Sequence, residues 1–486
     1  MHRKSIVVLG GGISGLSAAW YAAKQGAERL QVVLLEGSSS FGGWIKSYDI
    51  HNGGVMEAGP RSLRASGPTA GTTLSMISEL GLEASLLPIQ SSHPAAKNRF
   101  IYLNKKGLIL LPNGPSWFFQ TKVPFSRPLL SSVLREPFQP ASTEGDDESI
   151  RSFVLRRLGK EFADYLIDPM CRGIFAGDSS KLSIKSCFRQ LYDLEKDHGS
   201  VIKGMIFGKR NKEVLQSSLR DKALKEKWSI YSFKQGLGEL PNALVKSLES
   251  LGADLKLSLP CTKLEFTAAG QVQITTGDGK VTTADHVISS LPSKDLAQLL
   301  SPSQHHQSLR SELTAVPSVN VAVVNVEYTG QNVLPPQFVQ SFGYLVPSHQ
   351  KSNILGVVND SATFPQHNRT DQPSTRLTVM MGGEWFEDLF GSVESTSEDH
   401  LASLALEALR EQLGISQDPS YCKVIVQRAC IPQYFVGHSA RLERIREYIR
   451  SQSLPLTLIG SSYDGVSVND CVHFGMRAAQ CVAELR

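Results

Sequence analysis

The 486-residue chain has no long apolar run, no closely paired cysteines and almost no excess charge. Its most apolar stretches, such as Val319–Val326, fall far short of the ~18 residues that a membrane-spanning helix needs. The seven cysteines (Cys171, Cys187, Cys261, Cys422, Cys430, Cys471, Cys481) are odd in number and never spaced Cys-x-x-Cys. That excludes zinc, iron–sulfur and redox-dithiol patterns and leaves an expectation of mostly buried free thiols. No metal site is expected. Fifty Lys+Arg against 46 Asp+Glu leave +4, too little for a nucleic-acid partner. Ser5–Leu9 already reads as a strand, so only Met1–Lys4 remains for a leader, and no cleavable one is expected. Hydrophobic residues at 41% and charged residues at 20% exclude wholesale disorder. At about 150 residues per domain, the length suggests roughly three units.

What is present starts at the first residues. The run Ser5–Leu9 leads into Gly10, Gly11, Gly12, Ile13, Ser14 and Gly15. Apolar positions at Ile13, Leu16, Trp20 and Ala23 then follow helical spacing. Gln31–Leu35 is a second strand, closed by Glu36. Strand, glycine turn, helix, strand and acid make the dinucleotide-binding βαβ unit. Gly10 serves the tight turn, Gly12 the approach to a pyrophosphate, and Gly15 the packing of helix on strand. The helix N-terminus offers unpaired N–H groups to phosphate. Glu36 suits adenosine ribose hydroxyls and repels a 2′-phosphate. Gly42-Gly43-Trp44 and Gly59-Pro60-Arg61 extend the pattern toward the glutathione-reductase type of FAD fold. Arg61 serves either the pyrophosphate or flavin edge, or a turn salt bridge.

At the other end, Leu454–Ile459 reads as a strand and Gly460–Gly465 as a loop. A helix carries Val468, Cys471, Val472, Gly475, Ala479 and Val482 on one face. It is either an ordinary amphipathic helix or the second anchor of a long dinucleotide, its dipole suited to reduced flavin. The organisation is α/β and α+β. A discontinuous Rossmann-like FAD domain takes 1–98, 233–300 and 430–486, with 60–98 partly in the substrate domain. A mostly helical, membrane-associating domain spans 99–232, and a sheet-based substrate domain spans 301–429. Thr283–Ser289 reads as one buried strand. Lys203–Lys227 holds eight basic residues against three acids, read either as a solvated face or as an attachment to anionic lipid.

Several internal stretches are narrower signals: His93–Phe100, Cys171–Gly177, Asp285–Ile288, Phe342–Leu345, Cys430–Tyr434 and Gly465–Asp470. Through them, and from Val7 to Ala479, the chain resembles the protoporphyrinogen oxidase family in its vertebrate branch. Ser62 and Gln235 depart from glycines common there. The resemblance implies non-covalent FAD, O2 as acceptor, haem synthesis and a homodimer. It also implies a peripheral place on the mitochondrial inner membrane, facing the intermembrane space, with product handover to ferrochelatase. FAD contacts would fall on Gly10, Gly11, Gly12, Ile13, Ser14, Gly15, Glu36, Gly37, Trp44, Gly59, Pro60, Arg61, Ser62, Pro260, Ser461, Val466, Ser467 and Val468. Substrate contacts would fall on Arg99, Arg172, Gly173, Phe342, Gly343, Leu345 and Met380.

The implied reaction takes six electrons from protoporphyrinogen IX by hydride transfer to flavin N5, with reoxidation by O2 to H2O2. It needs no side-chain base, so no catalytic residue is assigned. Arg99 matches a propionate bidentately, or else serves a structural ion pair. Arg172 helps the pocket or holds local structure. Met380 is pocket or core. Phe342 and Leu345, three apart on a strand, share a face only if Gly343 distorts it. The alternatives are another flavin oxidase acting on amines or polyenes, a non-catalytic FAD protein, and a binding protein like the GDP-dissociation inhibitors.

Overall fold

The computed structural model describes residues 3–26, 29–140, 147–208, 217–300 and 306–484. Part of the basic stretch, Lys209–Lys212 with Glu213, lies outside them. Five parallel strands build one sheet, in the order Asp254–Lys256, Leu30–Leu35, Lys4–Leu9, His286–Ser289, Leu456–Leu458. They come from three separated stretches of chain. Alternate residues feed two cores, as a sheet covered on both faces requires. Ile6, Val8 and Leu34 pack with the first helix, Ile13–Gln25, while Val7, Leu9 and Leu35 pack on the opposite side. The C-terminal helix, Val468–Ala483, lies directly on the first. Their contact is at Gly475, where a Cβ would come 2.9 Å from the Ser14 carbonyl oxygen.

A second, seven-stranded sheet runs Tyr421–Pro432, Ser318–Thr329, Ser374–Gly383, Ile354–Asn359, Gly343–Leu345, Arg99–Leu103, Gly107–Leu110. All neighbours are antiparallel except Gly343–Leu345 beside Arg99–Leu103. Ala322, Val324 and Val326 pack under the helix Glu398–Leu413. Ser397 starts that helix by accepting the His400 N–H at 3.1 Å. Val319, Val321 and Val323 turn to the opposite face, with Leu355, Met380 and Trp385. That face meets the helical layer through Ala176.

Three readings need correction. The boundary at 99 is set too early, because the first strands of 99–232 belong to the large sheet. Phe100-Ile-Tyr-Leu103 is a β-forming run, and its Arg99–Leu103 hairpin closes the edge of the large sheet. Trp228–Phe233 at its other end is also a strand. Thr283–Ser289 is two strands, Val281–Ala284 and His286–Ser289, in different sheets. Asp285 makes the break, because its carboxylate accepts the Ser5 N–H at 2.8 Å and the Gln271 amide at 2.9 Å. The thiols are not mostly buried: Cys171 and Cys471 are, three are half-buried, and Cys422 and Cys481 are exposed. Among the described residues, no helix is long and apolar enough to cross a membrane.

Candidate active site

The glycine turn forms a cradle with no room for side chains. Gly10 has φ +93°, and a Cβ on Gly15 would sit 1.9 Å from the Gly10 oxygen. Gly42 donates its N–H to the Gly11 carbonyl at 2.8 Å, and a Cβ on Gly43 would come 3.1 Å from the Gly12 Cα. Backbone therefore lines the cradle on two sides. No side chain caps the first helix at Gly12, so its first-turn N–H groups remain for an anion. The Glu36 carboxylate is pre-aimed by N–H groups of Gly11 at 2.6 Å and Ser38 at 2.7 Å. Each oxygen keeps a further lone pair for a ribose hydroxyl. Pro260 packs on Gly37, 3.2 Å from where its Cβ would be. Glycine backbone, a free helix end and an aimed carboxylate fit a dinucleotide.

The far end of the cradle is built differently. Ser467 begins the C-terminal helix, accepting the Asp470 N–H at 3.1 Å and donating to its carboxylate at 2.6 Å. Thr69 also donates to Asp470, at 2.9 Å. An acid thus already occupies this N-terminus, and the dipole left for reduced flavin is weaker than the sequence suggests. Val468 packs toward the first helix, and Val466 toward the helical layer. The intervening loop is pinned by Tyr434, whose hydroxyl donates to the Ser461 carbonyl and accepts the Gly465 N–H at 2.9 Å. The Tyr434 ring stacks on His438 at 4.1 Å. Sequence reasoning assigned Tyr434 no role, since its partners lie about 30 residues away.

Between cradle and large sheet, a Cβ on Gly59 would lie 2.3 Å from the Trp44 oxygen, so Gly59-Pro60 packs on the Trp44 backbone beside Ser62. The Arg61 guanidinium pairs with Asp360 at 3.3 Å, reaches the Gly59 carbonyl, and lies 4.0 Å from the Met380 sulfur. The pair is largely buried between two layers. Glu57 was also unassigned. It accepts the Leu237 N–H and the Ser47 hydroxyl, both at 2.7 Å, and burial raises its pKa to about 7.

The substrate-side residues fall into two groups. Gly173 packs on Leu345, whose Cδ2 would lie 2.9 Å from a Cβ there. Beside it, Arg172 is 4% exposed, stacks on Trp385 at 4.3 Å and donates to the Ile354 carbonyl at 3.2 Å. Its Nε has no partner, and burial lowers its pKa to about 10. Met380 is half-buried on the same sheet face. Phe342 instead packs with Ile89, Ile230 and Phe364, and the Arg99 guanidinium stands 5.4 Å from its ring. Gly343 joins the groups. Its φ is +149°, and a Cβ would meet the Val357 oxygen at 2.1 Å.

The profile of flavin-containing amine oxidoreductases matches residues 13–483. The chain is similar to the protoporphyrinogen oxidases of Macaca fascicularis and Homo sapiens. Each is 42% identical over 479 residues, covering 99% of this chain and 98% of the relative. A crystal structure from Exiguobacterium sp. 255-15, also named for that activity, shares the fold. Its TM-score is 0.78 at 24% identity, over 99% of both chains.

Proposed function

Because the chain belongs to the protoporphyrinogen oxidases, within the flavin-containing amine oxidoreductases, we propose that it oxidises protoporphyrinogen IX to protoporphyrin IX, with O2 reduced to H2O2. Its cofactor is FAD. When bound, FAD supplies a two-electron hydride acceptor that O2 returns to the oxidised state. The residues supply position. Gly10–Gly15 and the first helix end would hold the pyrophosphate, Glu36 the ribose, and the loop pinned by Tyr434 the far end.

On the large-sheet face, Leu345, Met380 and Trp385 offer an apolar wall to the macrocycle, and Arg99 would take a propionate. The residues act by positioning, and no side-chain base is assigned. The carrying observation is the glycine cradle with its aimed Glu36, linked through Arg61 to the large-sheet face at Met380, and an Arg99 guanidinium over Phe342 that has no carboxylate partner among the described residues. The test is turnover of protoporphyrinogen in air by purified protein, with porphyrin fluorescence and peroxide against a blank. Rates at the blank level refute the reading.

A peripheral place on the mitochondrial inner membrane, on its intermembrane-space side, is part of the same proposal. Its support is a set of exposed apolar side chains on the helical layer: Phe119, Leu134, Phe138, Met205, Ile206 and Phe207, with Phe138 85% exposed. Such a concentration is unusual on a soluble monomer. A homodimer and handover to ferrochelatase rest on the family resemblance. Loss of vesicle binding in Phe138→Ser/Phe207→Ser supports the membrane contact, and unchanged binding counts against it.

A further inference from the structure

One cation beside the substrate face has no role in this reading. Arg64 lies on the short strand Leu63–Arg64, directly opposite Ile230 on Trp228–Phe233. Side chains of such a pair share one face. Ile230 is also opposite Ile89, and the two isoleucines pack with Phe364 and Phe342. Phe342 carries the Arg99 guanidinium over its ring. Arg64 and Arg99 therefore flank one apolar cluster, from two different sheets.

The backbone under Arg64 is fixed from the cofactor side. Its carbonyl accepts the side-chain amide of Asn469, in the first turn of the C-terminal helix, at 3.0 Å. Its side chain is exposed, like that of Arg99. Neither has a carboxylate or hydrogen-bond partner for its guanidinium among the described residues, whereas Arg61, three positions earlier, is paired with Asp360. Two like charges brought together without an anion repel. Partial desolvation and the Arg64 charge together hold the Arg99 pKa below its ordinary value. An entering carboxylate relieves both.

We propose that Arg64 and Arg99 form a two-cation clamp for a dicarboxylate, one guanidinium per propionate, and that Arg64 sets the requirement for the second carboxylate. This rests on the substrate reading above. Each guanidinium presents a planar fork to its carboxylate. The propionate edge then lies at this apolar cluster, and the ring system extends toward Leu345, Met380 and Trp385. Arg64 acts by holding substrate, not by moving protons or electrons.

The experiment uses FAD-loaded enzyme, Arg64→Gln, Arg99→Gln and the double variant. The probes are protoporphyrinogen IX and its dimethyl ester, together with the corresponding porphyrins as non-turnover ligands read by tryptophan quenching. For Arg64→Gln, KM for the diacid should rise about tenfold, the loss of one charge-assisted contact. Its kcat should stay unchanged, as should KM for the diester. The porphyrin diacid Kd should move with KM, and Arg64→Lys should recover part of the loss. The double variant should treat diacid and diester alike.

The clamp is overturned if Arg64→Gln shifts diacid and diester equally, or neither. If the wild type oxidises neither compound, the substrate reading fails. The Kd values for the porphyrin diacid and diester then still decide for or against the clamp.

Discussion

Arg157 and Arg172 are fifteen positions apart and almost equally buried, at 2% and 4% exposure. Their surroundings are opposite. Inside the helical layer, Arg157 Nε donates to Glu195 at 2.6 Å, its Nη1 donates to the Gln139 carbonyl at 3.1 Å, and its Nη2 donates to the Gly199 carbonyl at 2.9 Å. Glu136 stands 3.4 Å from its Nη1 and itself accepts Ser200 and the N–H groups of Val201 and Ile202. Each of the three guanidinium nitrogens of Arg157 has a hydrogen-bond acceptor. At the seam with the large sheet, Arg172 has one carbonyl, one ring and an idle Nε. Closed charge clusters hold a fold together, and open ones leave bonding capacity for something else. Arg99 and Arg64, though exposed, likewise have guanidinium groups without a carboxylate partner among the described residues.

The comparison can be broken first at its closed member. Arg157→Met leaves buried Glu136 without its cation, while Glu195 keeps Arg156 at 2.6 Å, and should cost about 3–5 kcal/mol in denaturant unfolding. A change under about 1 kcal/mol would mean the cluster is not a keystone. Next comes Tyr434→Phe, which frees the Ser461 carbonyl and the Gly465 N–H. It should cost about 1–2 kcal/mol of stability and raise the FAD Kd about tenfold, measured by flavin fluorescence on reconstitution.

A third test uses Glu57. Burial lifts its pKa to about 7, above the unfolded carboxyl value, so the folded protein holds a proton that the unfolded chain releases. Its contribution is full below about pH 4 and is lost as pH rises through about 7. Glu57→Gln should flatten that part of the stability–pH curve. The smallest effect is expected for Arg172→Met, which loses little bonding and sheds a desolvated charge. Its stability should stay within about 1 kcal/mol of wild type, while KM for the porphyrinogen rises.

These features were not equally legible in the sequence. The glycine turn, Glu36 and the strands flanking them act through neighbours close in sequence, and period and spacing reveal them. The large-sheet strand Ser318–Thr329 contains the apolar run Val319–Val326, which is legible in the sequence. Roles that depend on distant partners were not. Thr69 meets Asp470 across 401 positions, and Asn469 meets Arg64 across 405. Nothing local to Tyr434 signals its grip on the cofactor loop. The break at Asp285 was equally hidden, because it depends on the Ser5 N–H, 280 positions earlier.

The most direct test is an anaerobic titration of FAD-loaded enzyme with protoporphyrinogen IX, followed in the visible flavin band. Six electrons per substrate and two per flavin predict complete bleaching near one third of an equivalent, with porphyrin fluorescence rising in step. A flavin band unchanged by excess substrate would contradict the account.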